Sequence, residues 1–366
     1  MDETRPAQQV EPNRDADLAA VRSEFAAERT YLDTATFGLP PSRSWQALQR
    51  ALRDWRAGTA DPSSYDVALN AARKAYAGLV GVASAAVAVG SQVSVFAGLV
   101  AASLPDGSEV LTATGDFTSI LFPFHAQADR GVVVREVPLE QIAEAVTERT
   151  RLVSVSAVQS ADGRVADLDG LREACASTGT QILLDVTQAV GWLPIAAGDF
   201  AFTVCGGYKW LLSPRGTAFL TVAADAADAV TAHTAGWYAG DDPWQSIYGT
   251  PLRLAADARR FDVSPVWHAW IATAPSLQLL ERIGALTLHG HAVALANGFR
   301  TGLGLKSTNS AIVSLPVDDT VKAALETARI AASVRAGRLR LSFHVCNDVG
   351  DVEHAVDVLR PHVTAT

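Results

Sequence analysis

Short apolar runs alternate with amphipathic segments through the middle of this 366-residue chain. Between two of these runs, residues 168–178 place apolar side chains at helical spacing, with Asp167 before them to cap a helix and Gly179 after them to end it. Strands that alternate with helices predict an α/β fold, in which a mostly parallel sheet is covered on both faces and binds ligands at the carboxyl ends of its strands. The runs expected to form its strands are residues 109–112, 132–137, 152–158, 181–186 and 216–222.

Composition narrows the class of protein. With 49% hydrophobic and 19% charged residues, the chain has enough apolar material for a large core, and its net charge of -9 argues against nucleic acid as a partner. Glycine and serine interrupt the uncharged stretch 75–105, so we predict a helix end, a strand over 86–89 and a new helix from Ser91 rather than a membrane span. Three widely spaced cysteines and the lack of an apolar leader indicate a cytoplasmic protein.

Two ionisable residues lie in apolar surroundings, where an unpaired charge would have a high free energy. Asp185 ends the apolar run 181–185 at the expected ligand edge of the sheet, although alone it also fits a helix N-cap. Lys209, one of only four lysines, lies in the sequence CGGYKW, where a desolvated amine would be a nucleophile towards carbonyl groups; a strand-end lysine that reaches solvent is the alternative. Together they match what pyridoxal phosphate (PLP) needs, namely a Schiff-base lysine and an aspartate for the pyridinium nitrogen.

A phosphate site is expected where Ser91 and Gln92 open a helix in the sequence GSQVS. Backbone N–H groups at a helix start, together with short hydroxyl side chains, hold a phosphate without a basic residue, although an ordinary capped helix has the same pattern. The sequence has no dinucleotide-binding or P-loop glycine motif and no HExxH or CxxC motif, so we expect no metal site.

With these residues in place, the chain resembles the class V aminotransferases, a group of fold-type I PLP-dependent transferases that includes cysteine desulfurases, kynureninase and isopenicillin N epimerase. The resemblance runs from YLDTA at residues 31–35 to the last predicted helix, which is nearly the whole chain, and it is most specific in LDVTQAVG at 184–191 and YKWL at 208–211. It implies a mostly parallel sheet in a large domain and a smaller C-terminal α/β domain.

The expected organisation has four parts. Residues 1–14 are polar and are predicted to form a flexible tail, and residues 15–40 are predicted to pack near the active site. Residues 41–251 would form the large PLP-binding domain and residues 252–366 the small domain. In the small domain we expect helices over 269–288, 290–303, 320–328 and 349–359, and strands over 311–315 and 338–343.

The resemblance implies a role for each matching residue around the cofactor ring. Lys209 would form the Schiff base, and Asp185 would meet the pyridine nitrogen. Gln188 would hydrogen-bond the phenolic oxygen, near which Ser160 replaces a common asparagine. Phe117 would stack on the ring.

The resemblance also places residues around the phosphate and the substrate. Ser91, Gln92 and Tyr208 would lie near the phosphate. Ser264 belongs to a segment that would reach the phosphate of a neighbouring subunit, which implies a homodimer with shared sites. Arg340 would bind the α-carboxylate of an amino-acid substrate, a task that suits a bidentate guanidinium.

Departures from the family pattern reduce the number of reactions that are expected. Desulfurases carry a nucleophilic cysteine shortly before the carboxylate-binding arginine, whereas residues 331–337 contain none here. Cys346 follows Arg340, Cys175 lies on a predicted helix, and Phe117 replaces the histidine that desulfurases stack on the ring. A persulfide-forming desulfurase is therefore not expected, while α-amino acids stay the expected substrate class.

Several functions stay open. We favour β-elimination from a cysteine S-conjugate, a C–S lyase of specialised metabolism, over an amino-acid aminotransferase or an epimerase-like enzyme. A catalytically inactive partner protein of the same fold is the alternative from another class. One glycine-flanked loop is expected either to line a wide substrate pocket or to pack in a dimer interface. Its aromatic residues are Trp237, Tyr238, Trp244 and Tyr248.

Overall fold

The computed structural model describes residues 18–363, so the expected tail 1–14 lies outside the described residues. The strands are, in chain order, β1 (Thr30–Tyr31), β2 (Val87–Gly90), β3 (Glu109–Ala113), β4 (Val133–Val137), β5 (Thr150–Ser156), β6 (Gln181–Asp185), β7 (Phe202–Gly206), β8 (Ala218–Val222), β9 (Ile312–Leu315), β10 (Ile330–Ala331), β11 (Ser333–Arg335) and β12 (Arg338–Ser342). The helices are α1 (Leu18–Arg22), α2 (Ser42–Ala57), α3 (Pro62–Val80), α4 (Val93–Ser103), α5 (Phe122–His125), α6 (Leu168–Thr178), α7 (Trp267–Ile283), α8 (Ala285–Gly302), α9 (Val321–Thr327) and α10 (Val349–Leu359).

Seven strands form one sheet in the order β2-β8-β7-β6-β5-β3-β4. The strands from β7 to β4 run parallel, while β8 is antiparallel to both of its neighbours. Leu183 and Leu184 are adjacent in β6 yet belong to two different hydrophobic cores, because successive side chains point to opposite faces of a strand. The sheet is therefore buried on both faces, and the predicted α/β class is confirmed.

All five predicted apolar runs form strands close to their expected bounds. Helix α6 has the predicted bounds, with the Asp167 side chain accepting from the Gly170 N–H and Gly179 in the left-handed conformation. In the large sheet, the strand that sequence reasoning missed is β7; the short strands β1, β10 and β11 were also not predicted. The Thr203 hydroxyl of β7 lies 2.7 Å from that of Thr221 in β8, so the two hydroxyls form a hydrogen bond inside the sheet. A threonine at this buried position interrupts the apolar pattern of the strand.

Helix α7 packs on the large sheet together with α2 and α3. The Trp270 ring meets the ring of Phe219 in β8 edge-on at 5.3 Å, and Tyr76 of α3 stacks on the same ring at 4.1 Å. The expected small domain began at residue 252, whereas this helix packs with the larger part. The break between α7 and α8 lies at Gly284 and not at residue 289 as predicted. Gly284 has a φ of 85°, a backbone conformation that is strained for residues other than glycine.

The smaller part is built around the antiparallel sheet β11-β12-β9. Its core combines side chains of α8, α10 and β12 with Leu32 from the N-terminal segment. The same segment pairs with the smaller part twice, through β1 with β10 and through a bridge from Asp33 to Ser342. This pairing holds residues 30–36 beside the carboxyl ends of the parallel strands. Within the described part of the chain, every helix is too short or too polar to span a bilayer.

Candidate active site

A pocket with about 610 Å³ of empty space opens at the carboxyl ends of β5, β6 and β7. The last residue of each strand lines it, as the parallel sheet requires. Eight of the residues predicted from the sequence lie together in its wall: Ser91, Gln92, Phe117, Ser160, Asp185, Gln188, Tyr208 and Lys209. The predicted residues therefore share one pocket.

Lys209 is buried, with 5% of its surface exposed. Burial lowers the pKa of its amine to about 8, although the nearby Asp185 carboxylate acts in the opposite direction. The amine nitrogen lies 5.2 Å from the centre of the Phe117 ring and 5.7 Å from that of Tyr208. A lysine with this pKa is partly neutral near pH 7, and the neutral amine is the nucleophilic form.

Asp185 ends β6 and is almost fully buried. Burial raises the pKa of its carboxyl group to about 6, opposed by hydrogen bonds from Thr187 and by the charge of Lys209. Its Oδ1 accepts the Thr187 N–H at 2.8 Å, and the Thr187 hydroxyl accepts the Gly206 N–H at 2.9 Å. The capping bond to Thr187 thus exists, but the same carboxylate also faces the pocket.

The amide of Gln188 is held by three partners. Its Nε2 donates to the Ser160 hydroxyl and to the backbone oxygen of Ala35, both at 3.0 Å. Its Oε1 accepts the indole N–H of Trp210 at 2.7 Å. Both Nε2 hydrogens and the oxygen are therefore occupied, so the predicted contact with a phenolic oxygen would require Nε2 to give up one of its two acceptors.

Arg340 lies behind Ser160 and is 1% exposed. Its Nη1 donates to the backbone oxygen of Ser160 at 2.5 Å and to its hydroxyl at 3.2 Å, and its Nη2 donates to the Thr36 hydroxyl at 2.6 Å. The Asp33 carboxylate is 3.9 Å away, and the buried Nε has no hydrogen-bond partner in the described part of the chain. Burial lowers the pKa of the guanidinium to about 10. The guanidinium therefore has one buried donor, Nε, that is not used within the described part of the chain.

Sequence reasoning missed the residue that fixes Phe117. The Asp116 carboxylate is buried and accepts the Phe117 N–H at 2.7 Å. It also accepts from the N–H and hydroxyl of Ser156 at 2.8 and 2.6 Å, and from the Gln159 side chain at 3.2 Å. These bonds tie the loop after β3 to the end of β5, so the aromatic ring is held at the pocket.

The start of α4 lines one part of the pocket. Gln92 is its N-cap residue, and the side chain makes no capping hydrogen bond, so the first N–H groups of an 11-residue helix are available to an anion. Arg215, which sequence reasoning missed, also lines the pocket, with its guanidinium 5.0 Å from the Tyr208 ring centre. The sequence feature that could have indicated this residue is a cationic side chain only six positions after Lys209.

Four of the predicted residues do not line this pocket: Arg340, which lies behind Ser160, and Trp237, Tyr238 and Ser264. The Tyr238 hydroxyl donates to Asp66 of α3 at 2.7 Å, and the Trp237 ring packs against Tyr238. Trp244 donates to the same carboxylate at 3.0 Å, so the aromatic loop is fastened to α3. Ser264 is exposed on the segment before α7. Of the two interpretations of the loop, these contacts favour packing away from the substrate of the same chain.

The thiols lie away from the pocket lining. Cys175, Cys205 and Cys346 are all buried, and burial raises the pKa of each of them. The pKa of Cys175 reaches about 11 and that of Cys346 about 12. A thiol in this state is a weak nucleophile.

These residues fit PLP. A buried amine faces the pocket together with a buried carboxylate, an aromatic ring and the start of a helix. Those groups match, respectively, the aldehyde, the pyridine nitrogen, the ring face and the phosphate of the cofactor.

Comparisons with known proteins support this assignment. The family described as Aminotransferase class-V matches residues 30–313. Uncharacterized aminotransferase YcbU of Bacillus subtilis is 28% identical over 307 residues, which cover 78% of this chain and 81% of that protein. Isopenicillin N epimerase of Amycolatopsis lactamdurans is 31% identical over 173 residues, or 42% of this chain and 44% of that protein.

Solved structures share the fold. A cysteine desulfurase from Thermococcus onnurineus NA1 aligns with a TM-score of 0.80 at 19% identity, over 94% of this chain and 97% of that one. The cystine C–S lyase C-DES aligns with a TM-score of 0.82 at 20% identity, over 92% and 99%. These alignments confirm the predicted fold-type I architecture, and with the family match they confirm a PLP-dependent enzyme.

Proposed function

Because the chain belongs to the class V aminotransferase family, we propose that it is a C–S β-lyase that cleaves a cysteine S-conjugate. The observation that carries this proposal is a buried, low-pKa Lys209 in a pocket whose described lining contains no thiol. The amine can move a proton at Cα, while sulfur released there finds no cysteine to receive it.

Each residue around the pocket would have its own role in binding the cofactor or the substrate. PLP, when bound, supplies an electron sink for the substrate Cα. Asp185 would keep its ring nitrogen protonated, Gln188 would bind its phenolic oxygen, and the start of α4 would hold its phosphate. Arg340 would bind the α-carboxylate of the substrate through a guanidinium that is already desolvated and held by Ser160.

Lys209 would act as the base. Its neutral amine takes the Cα proton, the C–S bond breaks, and the electron pair of that bond leaves with sulfur. The same ammonium group can return the proton to the departing thiolate. Water completes the reaction, so that one conjugate and one water yield a thiol, pyruvate and ammonium.

Two further observations support a lyase over a desulfurase. The β11–β12 hairpin, which contains Arg340, has no cysteine. One of the similar folds is that of a cystine C–S lyase. We also propose a cytoplasmic homodimer with shared sites, supported by the exposed aromatic rings of Trp55 and Tyr248; sedimentation of the purified protein tests the dimer.

The decisive experiment follows products and cofactor together. Holoenzyme is incubated with S-substituted cysteines, and thiol, pyruvate, ammonium and the absorption spectrum are measured. Equal amounts of the three products over many turnovers are expected, and a triple Cys→Ala variant should retain them. Accumulation of pyridoxamine phosphate would overturn the proposal in favour of an aminotransferase, and loss of turnover in the folded triple variant would indicate a persulfide route.

A further inference from the structure

Three arginines share one face of the small sheet. In the pairing of β11 with β12, Ser333 lies opposite Arg340 and Arg335 lies opposite Arg338. Residues directly opposite in an antiparallel pair, and residues two apart in a strand, point to the same face. Arg335, Arg338 and Arg340 therefore lie on one face; Arg338 donates to Ser314 of β9, while Arg335 and Arg340 contact the N-terminal segment.

Two of these guanidinium groups meet at one hydroxyl. Arg340 Nη2 donates to Thr36 Oγ1 at 2.6 Å, and Arg335 Nη2 donates to the same oxygen at 3.1 Å. Thr36 follows Ala35, whose backbone oxygen accepts from the pocket residue Gln188. The second arginine thus lies at the rim of the active site, one hydroxyl away from the first.

The positive charge at this rim lacks acidic partners. Among the described residues, neither Arg335 nor Arg338 forms an ion pair, and Arg340 has only the distant carboxylate of Asp33 at 3.9 Å. The charge of Arg335 lowers the pKa of both Lys209 and Arg340, so its field reaches the pocket. Two adjacent cations repel each other, and an anion bound between them would relieve that repulsion.

Resting on the proposed function, we propose that the substrate carries a second anionic group on its sulfur substituent and that Arg335 binds it while Arg340 binds the α-carboxylate. The substrate class is then a cysteine conjugate with an acidic S-substituent, such as a carboxylate. Arg335 is a specificity-determining residue: it is exposed in the free protein and forms with Arg340 a pair of sites for a dianion.

Binding of unreactive analogues tests this inference apart from catalysis. The probes are 3-(carboxymethylthio)propanoate and its amide, 3-(carbamoylmethylthio)propanoate, which have no amine and cannot be cleaved. Calorimetry gives their dissociation constants for the wild-type holoenzyme, for Arg335→Gln and for Arg360→Gln. Arg360 donates to the backbone of Gly302 in the C-terminal part, so its variant matches the loss of charge elsewhere.

We expect the wild type and Arg360→Gln to bind the dicarboxylate about ten-fold more tightly than the amide, the ratio typical of one charge-assisted contact. Arg335→Gln should lose this preference and keep its affinity for the amide. Equal affinities in the wild type, or a preference that survives in Arg335→Gln, would overturn the inference. If the preference follows this pattern but no conjugate is cleaved, the proposed lyase activity fails and the anion site stands.

Discussion

The indole N–H of Trp210 donates to the side-chain oxygen of Gln188 at 2.7 Å, which links the residue after Lys209 to a second residue of the pocket lining. The backbone oxygen of Trp210 in turn accepts from His344 Nε2 at 2.8 Å. His344 Nδ1 accepts the Val345 N–H, and burial lowers the pKa of this histidine to about 4, so it is neutral and its tautomer is fixed. The smaller part of the protein therefore contacts the lysine segment through a hydrogen bond that persists at neutral pH.

Trp210→Phe should weaken the binding of PLP by about ten-fold, because it leaves Gln188 Oε1 buried without a donor and frees the amide to rotate. Trp192→Phe is the matched control, since its indole N–H also bonds Gln188, but at the backbone oxygen and at 2.6 Å. Both variants should lose about 1–3 kcal/mol in the free energy of unfolding. The measurements are denaturant unfolding and PLP titration of the apo-protein. Equal PLP affinity of the two variants would contradict a positioning role for Trp210.

Covalent attachment of PLP should depend on pH through Lys209. With a pKa of about 8, the neutral fraction of this amine, and with it the attachment rate, rises about five-fold between pH 7 and pH 8. Asp185→Asn should shift this profile to lower pH, because the aspartate charge raises the pKa of the lysine. Stopped-flow absorbance of apo-protein mixed with PLP gives the rates. Lys306→Ala serves as the control with an unchanged profile, and attachment to Lys209→Ala would show that another amine reacts.

Asp185 should make the apo-protein less stable as pH rises. Burial raises the pKa of its carboxyl group from 3.8 to about 6, so the folded state favours the protonated form. The corresponding stability is present below about pH 4 and is lost as pH rises through about 6. A shift of this size corresponds to about 3 kcal/mol. Denaturant unfolding of the wild type and of Asp185→Asn at pH 4 and pH 7 measures the difference, and parallel curves for the two proteins would refute it.

The fold and the centre of the site were predictable because both depend on local sequence. Apolar runs separated by helical spacing indicate a parallel sheet, and a sheet of this kind brings the ends of β6 and β7 to one edge. Asp185 ends β6 and Lys209 follows β7, so their proximity follows from topology alone.

The supporting contacts were not predictable because they join residues far apart in the chain. Asp116, which follows β3, accepts a hydrogen bond from Ser156 at the end of the neighbouring strand β5, and Trp210 donates one to Gln188. Neither pairing leaves a spacing or a composition signal. Trp237 and Tyr238 were expected either at the substrate or in a dimer interface because of their aromatic character, and a carboxylate on α3 holds Tyr238 outside the pocket of its own chain. Buried polar side chains form hydrogen bonds with whatever groups the fold brings close, and these contacts cannot be read directly from a single sequence.

Arg340→Gln should weaken the binding of α-carboxylates by about 2–5 kcal/mol, because it removes one partner of a desolvated charge pair. The guanidinium is 1% exposed and already held by Ser160 and Thr36, so little reorganisation is needed when a carboxylate arrives. Calorimetry with an S-substituted cysteine and with its α-carboxamide separates this contact from the rest of the substrate. The variant should lose affinity for the acid alone, and it should bind the carboxamide as the wild type does. If acid and carboxamide lose affinity equally, Arg340 supports the pocket through Ser160 and does not contact the carboxylate.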